Sequence, residues 1–160
     1  MPHEFKNVNG YVAPALAIDA ALLKGREILL IRRGQDPDKG KWALPGGFME
    51  VGERAEDAGR RELLEETGLK GDVVDVLGVW SDPKRDPRGH VVSFAFVMKV
   101  AGIVDVAVAG DDAAEARWFP LDAPPDMAFD HADMIRAARE WIDRPGNFEK
   151  LGDTDLGKCA

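Results

Sequence analysis

The segment that most constrains this chain is residues 47–69, GFMEVGERAEDAGRRELLEETGL. Residues 54–67 contain no proline and are dense in charge. Gly68 follows where a helix takes its left-handed terminal residue, so the stretch reads as a helix. Seven acids (Glu50, Glu53, Glu56, Asp57, Glu62, Glu65, Glu66) stand against three bases (Arg54, Arg60, Arg61), a local charge of −4. On a helix Glu62 and Glu66 lie one turn apart on one face with Glu65 beside them, so three carboxylates converge. Like charges so placed raise one another's pKa unless a cation sits between them. An all-oxygen set suits magnesium or manganese rather than zinc. Taken alone, the same pattern also reads as a solvated helix face.

The remainder supplies a sheet for this helix to pack on. Residues 11–23, YVAPALAIDAALL, carry no charge before Asp19, and residues 27–33, EILLIRR, form a second apolar run. They read as two strands joined by a tight turn at Lys24-Gly25-Arg26, with Pro14 marking a bulge or an edge. Seven Gly and Pro in the twenty residues 34–53 predict a long irregular loop. Residues 73–80 and 91–100 are β-branched runs flanking SDPKRDPRGH, and residues 116–120 suit a short strand. Between 129 and 143, Met134, Ile135, Ala138, Trp141 and Ile142 recur at helical spacing. Residues 144–160 read as a loosely held polar tail after a single domain spanning 1–143. The order predicts an α/β fold, helices covering a mixed sheet.

At 160 residues and 45% hydrophobic content the chain suits one core. The 21 basic residues against 29 acidic ones leave a charge of −8, which disfavours a protein that coats nucleic acid. A small anionic ligand remains open if cations mediate. No segment approaches the roughly 18 apolar residues of a membrane span. Cys159 is the only cysteine, so no intrachain disulfide framework exists, and a reducing, cytoplasmic location is expected.

Gly47, Glu53, Arg61-Glu62-Leu63, Glu65-Glu66 and Gly68-Leu69 stand at the spacings of the Nudix hydrolase box, which the chain resembles at nine of nine defined positions. With ordinary residue frequencies such a chance match is rarer than roughly one in a million. The resemblance implies an α/β/α sandwich around a mixed sheet, with the box as a loop-helix-loop. It implies hydrolysis of a nucleoside diphosphate linked to another moiety, using Mg2+, with Mn2+ as a substitute, and an attacking water. By position it assigns metal coordination to Glu62, Glu65 and Glu66 with the Gly46 carbonyl, and supporting catalytic roles to Glu53 and Arg61. Relatives often carry a further glutamate in a loop on the far side of the site as general base or extra metal ligand. Glu115 is the candidate, with Asp111 and Asp112 nearby; a solvated loop acid is the alternative.

SDPKRDPRGHVVSFAF, WALPGGFMEVGE and AFDH resemble the branch of ADP-ribose pyrophosphatases, which implies products AMP and ribose 5-phosphate and a homodimer. Lys84, Arg85, Arg88 and His90 are then candidates for phosphate or ribose oxygens, against an ordinary charged connection. Arg33, with Arg32, is a candidate for phosphate, against a simple cap on a strand end, and Tyr11 for stacking on adenine, against an ordinary strand aromatic. Trp42, Trp80, Trp118 and Trp141 are assigned to packing, and His3 and His131 to no role. The competing readings are other Nudix substrates (oxidised nucleoside triphosphates, dinucleoside polyphosphates, NADH), a non-catalytic ADP-ribose sensor, and RNA 5′-end processing, which the charge disfavours.

Overall fold

A computed structural model describes residues 5–6, 9–101 and 113–152. Its elements are β1 (Phe5–Lys6), β2 (Val12–Ala13), β3 (Ala15–Lys24), β4 (Glu27–Arg33), β5 (Trp42–Ala43), β6 (Gly46–Phe48), α1 (Ala55–Thr67), β7 (Gly71–Trp80), β8 (Val91–Val100), β9 (Ala113–Pro120), α2 (His131–Asp143) and α3 (Asn147–Lys150). The main sheet runs β5-β4-β3-β8-β7, with β6 on β3 and β9 on β4, while β1 and β2 form a separate ribbon. β3 and β8 are parallel and the other pairs antiparallel, so the sheet is mixed.

The apolar run of β3 is explained by burial on both faces, as happens when helices cover a sheet on each side. Ile18, Ala20 and Leu22 pack with Leu29 against Ala58 and Leu63 of α1. Ala21 and Leu23 pack with Ile28 and Leu30 against Met134, Ile135, Ala138, Trp141 and Ile142 of α2. The period-2 alternation of the strands sorts side chains between the two layers. The result is the expected α/β/α sandwich.

α1 ends where the sequence places its end. Gly68 adopts φ 75° and donates its N–H to the Leu64 carbonyl at 2.9 Å. The strand read over 11–23 divides at Pro14 into β2 and β3, and Tyr11 falls just outside β2.

Three expectations are corrected. The irregular loop over 34–53 contains β5 and β6; two or three residues of strand, two of them Gly, show no periodicity. Glu115 lies inside β9, paired with Arg32 of β4, rather than in a loop. Asp111 and Asp112 lie outside the described residues. The expected tail instead continues the fold to Gly152: α3 follows α2 directly, Asn147 Nδ2 donates to the Trp141 carbonyl at 2.8 Å, and Leu151 enters the α2 core. Isolated apolar residues in a Gly-rich stretch have no pattern from which such docking is read.

β3 and β4 are in register only at Leu23↔Ile28 and Lys24↔Glu27. Beyond these pairs β3 takes β6 as its neighbour and β4 takes β5, while β9 runs along β4 throughout. The strands splay, and a cavity opens between them.

If residues beyond 143 belong to the core, Leu151→Ala lowers unfolding free energy by about 2 kcal/mol or more in urea denaturation. A loss below about 0.5 kcal/mol, the size of an ordinary surface change, contradicts that placement.

Candidate active site

The cavity holds about 330 Å³ and draws its walls from β3, β4, β6, β8, α1, α2 and the 81–90 loop. One wall is acidic. Glu62 and Glu66 of α1 face the cavity beside Gly46 and Gly47 of β6. Gly47 leaves the notch that seats Glu62: a Cβ there would stand 2.5 Å from the Glu62 carboxylate carbon. Burial raises the pKa of Glu62, with a smaller push from Glu65, while its hydrogen bond and ion pair with Arg61 oppose the rise. Glu66 is itself buried and lies within hydrogen-bonding reach of Glu62.

Arg61 stands behind this wall, and all five of its N–H donors are engaged. Nε and Nη2 grip the two Glu53 oxygens at 2.8 and 2.9 Å, and Nη2 also reaches the Phe48 carbonyl at 3.1 Å. Nη1 donates to Glu62 at 2.8 Å and to Glu65 at 3.3 Å. The forked contact with Arg61 and the Glu50 N–H hold the Glu53 carboxyl down to about 2. The carboxylates around it push the Arg61 pKa upward.

Glu65 does not join the other two acids. Its side chain is 58% exposed and turned to Arg61, outside the cavity lining. Among the described residues no three Asp, Glu, His or Cys side chains stand close enough to form a ready metal cage. The donors that do converge, Glu62 and Glu66 beside Gly46, still fit a hard divalent cation. They are oxygen groups, crowded and partly desolvated, and a cation would relieve their repulsion.

The same cavity is also lined by basic and aromatic groups. Arg33 donates Nε to the Pro37 carbonyl at 2.7 Å and stacks over Phe129, 4.9 Å from the ring centre. Burial and the nearby Arg88 lower its pKa. Arg88 forks onto Asp86 at 3.0 and 2.7 Å and lies over Phe48 and Phe129 at 5.4 and 5.7 Å.

Arg85 also lines the cavity, but four of its donors are spent internally. It forks onto Asp130 at 2.8 and 2.7 Å and reaches Ser93 Oγ at 2.8 Å and the Val91 carbonyl at 3.4 Å. Its side chain is only 4% exposed. It is a latch between the 81–90 loop and the start of α2, and removing Asp130 strands the buried guanidinium at a cost of about 3–5 kcal/mol.

Other expected positions fall away from the cavity. Tyr11 is 70% exposed and outside the lining. Lys84 is exposed, and its backbone N–H is taken by Asp82. The His90 ring closes the loop onto the Ser81 carbonyl at 3.0 Å. Glu115 is ion-paired with Arg117 at 2.9 Å and Arg32 at 3.4 Å, and is absent from the lining.

Four residues with no individual role in the sequence reading join the site: Asp19, Phe48, Phe129 and His131. Asp19 and His131 are buried at the floor with Ser93. Burial raises the Asp19 pKa and lowers that of His131, so both are pushed toward neutrality. The signal available for Asp19 was a lone carboxylate inside an apolar strand; Phe48, Phe129 and His131 stand in the stretches WALPGGFMEVGE and AFDH that carry the resemblance, with no local pattern that assigns them a role.

An acid-bearing helix beside a Gly-Gly strand, sharing one cavity with arginines, defines a site for an anion held through cations. A match to the NUDIX domain model covers residues 13–138. The chain belongs to the Nudix family. It is 48% identical over 138 residues to an ADP-ribose pyrophosphatase of Methanocaldococcus jannaschii, covering 86% of this chain and 80% of the relative. Among solved structures, it resembles a MutT/nudix family protein from Enterococcus faecalis with a TM-score of 0.73 and 31% identity, over 92% of this chain and 71% of that one. It also resembles a bifunctional NMN adenylyltransferase/ADP ribose pyrophosphatase from Francisella tularensis, complexed with AMP and a manganese ion. There the TM-score is 0.69 and the identity 28%, over 80% of this chain and 42% of that one.

The Glu53–Arg61 contact carries a pH signature. The folded pKa of Glu53 lies below its ordinary 4.5, so its contribution to stability is present above pH 4.5 and is lost as pH falls toward about 2. Glu53→Gln should therefore unfold at a lower temperature than the unmodified protein at pH 7, with the gap narrowing by pH 3. A gap independent of pH across that range rules the contact out as the cause.

Proposed function

We propose that this protein hydrolyses ADP-ribose to AMP and ribose 5-phosphate, with Mg2+ as the working cation and Mn2+ as a substitute. The observation that carries the reading is that Glu62 and Glu66 line the same cavity as Arg33 and Arg88. The Methanocaldococcus jannaschii and Francisella tularensis relatives, whose names include ADP-ribose pyrophosphatase, support the substrate.

Glu62 and Glu66, with Gly46 beside them, would hold the cation. When bound, it neutralises phosphate charge and acidifies a water. Arg33 and Arg88 meet the diphosphate in the same cavity, and their stacking on Phe129 and Phe48 restricts where the guanidinium edges point. Arg61, fixed by Glu53, keeps Glu62 in its notch, and Glu65 takes the outer place on the same guanidinium. The proton of the attacking water has two carboxylates within the cavity wall to accept it, Glu62 and Glu66.

The protein acts as a homodimer in the cytoplasm under this reading. Tyr11, Val12 and Leu16 form an exposed apolar strip near the N-terminus, and Val76 and Val79 stand exposed on β7 at the sheet edge. No helix among the described residues is long and apolar enough to cross a membrane.

The test is a product assay on ADP-ribose, NADH, diadenosine polyphosphates and canonical and oxidised nucleoside triphosphates, with Mg2+ and with chelator. The expected result is cation-dependent preference for ADP-ribose, reduced at least about 100-fold in Glu66→Gln with the fold intact. Preference for a triphosphate overturns the substrate, and full activity of Glu66→Gln overturns the cation site. Light scattering of the full chain reads the dimer directly, and a monomer mass removes it.

A further inference from the structure

The β5–β6 connection depends on one side chain from the opposite helix layer. Leu44 follows the last residue of β5 and is 2% exposed, so its N–H is shut off from water. Its acceptor is Nδ1 of His131, the first residue of α2, at 3.1 Å. An imidazole that accepts at Nδ1 and is neutral carries its proton on Nε2. That nitrogen faces Asp19 Oδ2 at 3.9 Å. Asp19 Oδ2 is buried and has no hydrogen-bond partner among the described residues.

The next three residues are held in sequence from this point. The Pro45 carbonyl accepts the Ala20 N–H at 2.8 Å. Gly46 lies in register with Asp19 on β3, and Gly47 with Ile18. Gly47 is also the notch that seats the Glu62 carboxylate. The α2 layer thus grips the stretch that carries Gly46 and receives Glu62, although no residue of α2 stands among the expected cation ligands.

We infer that His131 is a positioning residue for the cation site, accepting the Leu44 N–H at Nδ1 so that residues 44–47 hold Gly46 and the Glu62 seat in place. The inference rests on the cation site of the proposed function and not on ADP-ribose. Outer groups that orient metal ligands typically change metal affinity by about 10- to 100-fold when removed.

The experiment compares His131→Leu, which keeps bulk and loses the acceptor, with His131→Asn, whose amide oxygen stands near the place of Nδ1. Mn2+ binding to each ligand-free protein is titrated by electron paramagnetic resonance, with circular dichroism reporting the fold. Mn2+ affinity should fall at least about tenfold in His131→Leu and recover most of that loss in His131→Asn. Unchanged Mn2+ affinity in a folded His131→Leu protein overturns the inference, as does a His131→Asn protein that binds no better than His131→Leu.

Where His131→Leu fails to fold, nitrogen-15 NMR of the unmodified protein decides. The Nε2–H tautomer together with slow exchange of the Leu44 amide supports the role; an Nδ1–H tautomer overturns it. The Mn2+ titration contains no nucleotide. Failure to hydrolyse ADP-ribose would therefore overturn the substrate while leaving this result readable.

Discussion

The structure depends on β3 being buried on both faces while its hydrogen-bonding neighbour changes halfway along. Burial on both faces demands an apolar strand, and every backbone group on such a strand must find a partner in the sheet. On one edge β8 serves the strand throughout. On the other, β4 serves only the two residues at the turn, and β6 takes over at Ala17, Ile18 and Asp19. The exchange lets β4 diverge without leaving β3 unpaired. It also places a Gly-Gly strand against the sheet centre, next to the helix that carries Glu62 and Glu66.

Charge is arranged around that opening in two separate networks. On the α1 side Arg61 spends its whole guanidinium on Glu53, Glu62, Glu65 and the Phe48 carbonyl, so a cation within the protein organises the acids without entering the cavity. On the α2 side Arg85 locks Asp130 and Ser93, and Arg88 locks Asp86. These internal pairs set which charges are left to face a ligand: Glu62 and Glu66 among the acids, Arg33 and one edge of Arg88 among the bases. The 81–90 loop, a row of basic groups in the sequence, is mostly consumed in holding itself and α2 together.

The box helix, its Gly68 terminus, the strands of the mixed sheet, α2 and the sandwich were legible because each has a local cause. A 3.6-residue or two-residue period, a left-handed Gly or a proline break operates over one turn or one hairpin. The placing of Glu62 and Glu66 on one helix face followed from their spacing, whereas the Arg61 fork onto Glu53, eight residues away across the start of the helix, did not. What local pattern could not decide was which charged groups face inward. Lys84, Arg85, Arg88 and His90 are alike in sequence, yet only Arg85 and Arg88 reach the cavity wall. Glu65 shares Arg61 Nη1 with Glu62 yet stays outside the cavity lining, which the spacing of the three acids does not reveal.

The sequence by itself therefore determined the layers of this protein and the helix that carries its acids, since those follow from short-range periodicity and spacing. Only the tertiary structure decided that Asp19, Phe48, Phe129 and His131 share a cavity with that helix, and that Glu115 and Tyr11 do not. Those juxtapositions join residues far apart in the chain. They are set by how far β4 splays from β3 and by where α2 docks, quantities of the packed whole that no stretch of sequence records.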